Sequence, residues 1–183
     1  MNINNILTNY LKATIKVKCL VSVVMLLMAP VASAEYVSSD DVLNIGDYER
    51  FVLARQQSSV NVELGGELVS ATLRDQASIN ISGGIVNWLS MFDHSSANIS
   101  SASVSTIWAA GHSVLVLDGV SNLERLILGD SSHVNIIGSD IQFNGDYLTG
   151  YWSDGSHFNI RTYNRTGVMT NGLPGYITVN YFP

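Results

Sequence analysis

The feature that most limits the folds open to this chain is a repeat of about 18 to 20 residues, running from Tyr48 to Ile136. Arg55, Asp75, Asp93, Gly111 and Asp130 can be taken as successive corner residues. Apolar side chains then recur seven, four and two positions before each corner. The sets are Tyr48, Phe51 and Leu53; Leu68, Ala71 and Leu73; Val86, Leu89 and Met91; Val104, Ile107 and Ala109; Leu123, Leu126 and Leu128. Constant offsets of this kind predict one inward-facing strand per repeat, with a bend in it.

A second segment follows each corner: Val60-Asn61-Val62, Ile79-Asn80-Ile81, Ala97-Asn98-Ile99, Val114-Leu115-Val116 and Val134-Asn135-Ile136. Their alternation has period two, which predicts a short strand with its branched residues inside and its middle residue outside. Gly65-Gly66, Gly83-Gly84, Gly119 and Gly138 supply the turns between strands, and Leu43-Asn44-Ile45-Gly46 reads as a degenerate first copy. About six coils result, which at the usual spacing of roughly 4.8 Å between strands make a rod of about 25 to 30 Å.

These properties predict an all-β fold: a single-stranded parallel β-helix, or β-solenoid, expected in its right-handed form and closed by a C-terminal β cap. Stacking each coil on the next pairs the backbone groups and buries one continuous core. Paired glycines and abundant Ser, Asn, Val and Ile disfavour helices. An antiparallel sandwich also has short, regularly spaced strands, but it does not require like residues at one offset through five coils.

The N-terminus reads differently. Lys12, Lys16 and Lys18 precede the apolar run Cys19 to Val31, which is short for a membrane span, and Ala32-Ser33-Ala34 provides small residues at a cleavage site. Residues 1–34 are therefore expected to be a secretory signal peptide, cut before Glu35. Cleavage would remove all three lysines and the one cysteine. Six arginines would remain against fifteen acids, a balance of −9. Such a surface disfavours nucleic acid and electrostatic docking on membranes, and no disulfide could contribute to stability.

The units Ser78-Ile79-Asn80-Ile81-Ser82-Gly83-Gly84 and Ser132-His133-Val134-Asn135-Ile136 resemble the S-x-V-N-I-S-G-G repeats of bacterial extracellular β-helix proteins, some of them PEP-CTERM-sorted or adhesin-like. Leu148-Thr149-Gly150-Tyr151-Trp152-Ser153-Asp154-Gly155-Ser156 is similar to the L-T-G-x-x-x-D-G-S element after such repeats. The resemblance spans roughly residues 58 to 160 and implies the fold and an extracellular or cell-surface address, with the periplasm as an alternative. Tyr181-Phe182-Pro183 carries no Pro-Glu-Pro sorting motif, a departure from that family. The expected organisation is an N-terminal cap at 35–47, repeats at 48–143 and capping strands at 144–183. The last would comprise two strands around Ser153-Asp154-Gly155, a polar loop with Asn171-Gly172 and Pro174-Gly175, and a final strand from Tyr176 to Phe182.

No catalytic centre is visible in the residues. Asp75, Asp93 and Asp130 recur singly at corners, which suits an acid bonding its own turn better than a calcium site. His94 and His112 fall one coil apart without an evident third ligand, no Gly-x-Ser-x-Gly elbow occurs, and no metal or cofactor is expected. The row Asn61, Asn80, Asn98 and Asn135, interrupted by Leu115, reads as an amide ladder along the stack.

Aromatic residues carry the binding expectation. Positions five, three and one before the corner should face outward, which exposes Trp88, Phe92 and Trp108 on adjacent coils, with Ser90 and Thr106 as polar neighbours. Tyr151 and Trp152 are expected in the core of the cap. The functional expectation is a secreted or cell-surface structural and binding module in adhesion, matrix or glycan interaction. Its expected partner is a glycan or a cell-surface protein. A polysaccharide-active β-helix lyase or hydrolase is the alternative, favoured if three or more acids, or acids with Arg74 or Arg125, share a groove; ice binding is a further one.

Overall fold

A computed structural model of the protein describes residues 34–129, 131–144, 146–164, 169–170, 173–174 and 177–181. Residues 1–33 of the segment expected as a signal peptide, the corner Asp130, the loop residues Asn171-Gly172 and Gly175 and the terminal Phe182-Pro183 lie outside the described residues. In chain order the strands are β1 (Ala34–Val37), β2 (Val42–Ile45), β3 (Tyr48–Ala54), β4 (Ser59–Val62), β5 (Glu67–Leu73), β6 (Ser78–Ser82), β7 (Ile85–Met91), β8 (Ser96–Ser100) and β9 (Ser103–Ala109). They continue with β10 (Val114–Asp118), β11 (Arg125–Leu128), β12 (His133–Asn144), β13 (Tyr147–Trp152), β14 (His157–Asn164), β15 (Met169–Thr170), β16 (Leu173–Pro174) and β17 (Ile177–Tyr181).

The architecture is a β-solenoid of about six turns. Odd-numbered strands β1 to β11 pair in parallel along one leg, and even-numbered strands β2 to β12 along the other. Both legs contribute to one core, in which Leu68, Leu73, Leu89, Met91, Ile107, Leu117 and Leu126 are fully buried. In the odd leg, residues seven, four and two before the corner point inward in the second to fifth repeats, as the offsets predict. Two consecutive outward residues, such as Asn87 and Trp88, mark the bend.

Each regular corner turns on one left-handed residue: Gln56 (φ 60°), Asp75 (φ 61°), Asp93 (φ 59°) and Gly111 (φ 72°). The corners are laced together by side chains. Gln56 Oε1 accepts the Ser39 N–H at 2.8 Å, Asp75 Oδ2 accepts the Gln56 N–H at 3.1 Å, and Asp93 Oδ2 accepts the Asp75 N–H at 3.1 Å. Each acid thus caps the turn of the preceding coil, where the sequence suggested that it would bond its own.

The first corner is Gln56, one residue later than the expected Arg55. Val52 pairs with Ala71 and Ala54 with Leu73, so Val52 and Ala54 face the core while Tyr48, Phe51 and Leu53 are exposed. The run Phe51-Val52-Leu53-Ala54 is apolar on both faces, so its own pattern cannot choose between them. The same ambiguity reverses Val114-Leu115-Val116. Leu115 pairs with Ala97 and Leu117 with Ile99, both leucines are buried, and Val116 takes the outward place beside Asn98.

Residues 35–47, expected as a cap, belong with Ala34 to β1 and β2, which stack in register on β3 and β4 as a rung of their own. At the other end, β12 runs on beyond the solenoid and pairs antiparallel with β13, and β13 with β14. The second part of β14 then returns in parallel register to β11, while β17 lies parallel to the first part of β12. This hairpin therefore joins the two legs in one continuous sheet and brings Leu148, Trp152, Phe158 and Ile160 into the core. Trp152 stacks on Phe158 with ring centroids 4.3 Å apart, whereas Tyr151, expected beside it in the core, faces solvent because strand neighbours point to opposite faces.

Candidate ligand-binding face

Three of the outward rows of the odd leg run side by side along the stack. The row five before the corner reads Phe51, Ser70, Trp88, Thr106, Arg125, Arg161. The row three before reads Tyr36, Leu53, Thr72, Ser90, Trp108, Ile127, Tyr163. One before the corner, Arg74 precedes Phe92 by one coil. None of the residues in these three rows is Asp or Glu, although the chain holds fifteen acids against nine basic residues; the adjoining outward row, six before the corner, holds the exposed Glu124 next to Arg125.

The expected site residues meet on this face. Trp88 and Trp108 lie diagonally on neighbouring strands, Trp88 beside Thr106 and Ser90 beside Trp108, and each indole is 40% exposed. Trp88 Nε1 donates to Ser90 Oγ at 2.7 Å, which orients its ring. Phe92, half-buried, meets Trp108 edge to face at a centroid distance of 5.2 Å, and the Arg74 guanidinium lies 4.8 Å from the Phe92 centroid. The result is an apolar surface with a cation laid on it. Ser90 and Thr106, expected as polar contacts for a ligand, are 6% and 5% exposed. Small side chains between large neighbours are covered by them: Ser90 orients the Trp88 indole and Thr106 lies beside it, and the exposed surface is left to the rings.

The face extends beyond the residues expected from the sequence. Arg125 and Arg161 are register partners on β11 and β14, both exposed, and the Arg161 guanidinium lies 4.9 Å from the Tyr163 centroid. Tyr147 pairs with Arg161 from its other side and is likewise exposed. At the opposite end of the leg, Arg50 stands 5.4 Å from the Phe51 centroid. The paucity of arginine in the sequence and the spacing Arg161-x-Tyr163 were the available signals. The pairing of Arg125 with Arg161 across the inserted hairpin was not legible locally.

A cleft lies apart from this face. Segment 119–124 and the hairpin residues 152–160 enclose a cleft of about 470 Å³, with Asn122, Glu124, Asp154, Ser156 and His157 in its lining. Hydrogen bonds from the Ser156 hydroxyl and then its amide hold the exposed Asp154 carboxyl below its ordinary pKa. His157 meets Tyr151 edge to face at 5.3 Å. The cleft contains two acids, Glu124 and Asp154, and Arg74 and Arg125 belong to the outer face. The groove of three acids, or of acids with one of those arginines, that would favour an enzyme is not assembled among the described residues.

Elsewhere, Asn61 Nδ2 donates to Asn44 Oδ1 at 2.8 Å, Asn98 Nδ2 to Asn80 Oδ1 at 3.5 Å and Asn180 Nδ2 to Asn135 Oδ1 at 2.9 Å, so asparagines bond from coil to coil along the stack. His94 and His112 stack at 5.1 Å, one coil apart as expected, and no group of three metal-ligating side chains occurs among the described residues. No family model, curated protein or solved structure matches the chain.

Proposed function

We propose that the protein is an exported β-solenoid binding module, acting outside the cell or on its surface, that holds glycans on the face of Trp88, Phe92 and Trp108. The observation that carries this reading is the pair of half-exposed indoles on adjacent rungs, one fixed by Ser90 and the other braced by Phe92. Flat, pre-oriented rings stack on the apolar faces of sugars without a large loss of side-chain entropy. An N-terminal segment with the sequence features of a secretory signal supports the address.

The test is a glycan array probed with the product secreted from the full-length sequence, alongside Trp88→Ala and Trp108→Ala. Binding should fall at least tenfold in each variant while the thermal midpoint stays near that of the parent, since both rings are surface residues. Undiminished binding by both variants would discard the face. N-terminal sequencing of the secreted product should begin at Glu35; retention of residues 1–34 in the cytoplasm would remove the extracellular assignment.

A further inference from the structure

We infer that this face selects acidic glycans, with Arg125 and Arg161 receiving the carboxylate or sulfate groups of a chain whose rings lie on the tryptophans. The inference deepens the glycan-binding reading and rests on it. Its foundation is the register of β11 on β14, which sets two guanidinium side chains side by side on one face, about 4.8 Å apart at the backbone. Like charges directly opposite on neighbouring strands are destabilising. Neither arginine forms an ion pair among the described residues. No acid among them is paired with either arginine, Glu124 beside Arg125 included, so an anionic ligand would relieve the repulsion between the two.

The surroundings point to a sugar as the bearer of that anion. Arg125 stands in the same row as Trp88, two strands away, and Arg161 lies against Tyr163 in the row of Trp108. A chain running along the stack would pass from indole to guanidinium without leaving the face. Planar guanidinium groups bind carboxylate and sulfate through paired N–H donors, more specifically than a point charge would. A polyanion as dense as duplex DNA would need more cations than this face offers, and the negative charge of the remaining surface would oppose it. A polymer with one charge per sugar ring matches two guanidiniums flanked by aromatic rings.

The experiment measures affinity of the secreted product for matched polymers: polygalacturonate and its methyl ester, and alginate and its propylene glycol ester. Parent protein, Arg125→Gln/Arg161→Gln, Arg125→Lys/Arg161→Lys and Trp88→Ala/Trp108→Ala are compared, with thermal midpoints recorded. The parent should bind at least one acid form tenfold or more tighter than its ester. The Gln pair should lose that preference at an undiminished thermal midpoint, the Lys pair should keep part of it, and the Trp pair should lose both forms. Equal affinity for acid and ester, a preference that survives in the Gln pair, or binding confined to neutral glycans overturns the acidic selection and leaves the glycan reading standing. Absence of binding to any polysaccharide overturns both. Binding of duplex DNA, or of vesicles containing phosphatidylserine, as tight as the best acidic polymer would also overturn it, in favour of general attraction to polyanions.

Discussion

The carboxylate of Asp75 accepts the main-chain N–H of Gln56, one coil earlier, at 3.1 Å, and Asp93 does the same for Asp75. The recurrent corner acid is thus a fastener between successive turns, which accounts for its spacing without a bound ion. Left-handed residues cost non-glycine side chains about 1 to 2 kcal/mol, a cost that Asp and Asn bear most easily. Here the side chain that tolerates the corner also ties it to its neighbour.

Replacing Asp75 separates these contributions. Asp75→Ala removes the acceptor and puts a less tolerant residue at φ 61°, and should lower stability by about 1 to 2 kcal/mol in urea unfolding. Asp75→Asn keeps an acceptor oxygen and should cost less than half as much. It also breaks the 3.3 Å pair with Arg55, but both partners are more than a third exposed and such pairs contribute about 0 to 1 kcal/mol. Equal losses in the two variants would show that charge, and not the cap, secures this corner.

Gly111 is the corner where a side chain meets the preceding turn. A Cβ built there would lie 2.7 Å from the Asp93 nitrogen and 2.9 Å from its carbonyl oxygen, both backbone atoms, at φ +72°. Gly111→Ala should therefore destabilise the protein by about 1 to 3 kcal/mol, read as a lower thermal midpoint. An unchanged midpoint would mean that the corner shifts to make room.

Ser95 and Ser113 occupy equivalent inward positions two residues after their corners, fully buried, and their hydroxyls have no hydrogen-bond partner among the described residues. Ala77 fills the same place one coil before Ser95. Ser95→Ala and Ser113→Ala should each raise stability, by about 1 kcal/mol, because an unpaired buried hydroxyl gives way to a methyl that the row already accommodates. Denaturant midpoints that fall would mean that each hydroxyl has a partner in solution.

The cap should unfold when its central ring is lost. Trp152 is 3% exposed and packs on Phe158, so Trp152→Ala should cost about 3 to 5 kcal/mol. Hydrogen exchange should accelerate first in β13 and β14, and Trp88→Ala should show neither effect. Uniform acceleration along all coils would indicate that the hairpin and solenoid unfold as one unit.

The hairpin turn should also respond to acid. The Asp154 carboxyl accepts hydrogen bonds from the Ser156 hydroxyl and amide at 2.6 and 2.8 Å, which lower its pKa below the ordinary 3.8. With the folded value below the unfolded one, the stabilisation is complete above pH 3.8 and is lost as pH falls through the lowered value. The Ser156 amide resonance should titrate with that lowered value and lose the transition in Asp154→Asn. A midpoint at or above 3.8 would contradict the lowering.

The parallel stack could be read from the chain because a period of 18 to 20 residues with matching offsets has few other solutions. Where polar and apolar residues alternate, as in Ser78-Ile79-Asn80-Ile81-Ser82, strand geometry alone assigns each side chain to a face. Where four apolar residues follow one another, as in Phe51 to Ala54 or Val114 to Leu117, both phases satisfy the local pattern. The rungs above and below then choose: Ala54 goes inward because it lies beside Leu73, and Leu115 because it lies beside Ala97. The same long-range stacking buries Ser90 and Thr106 among larger neighbours and joins Arg125 to Arg161 across the intervening hairpin. Period is a property of nearby residues and survives in the linear chain, whereas phase and cross-coil adjacency are set by contacts between segments that meet when the coils stack.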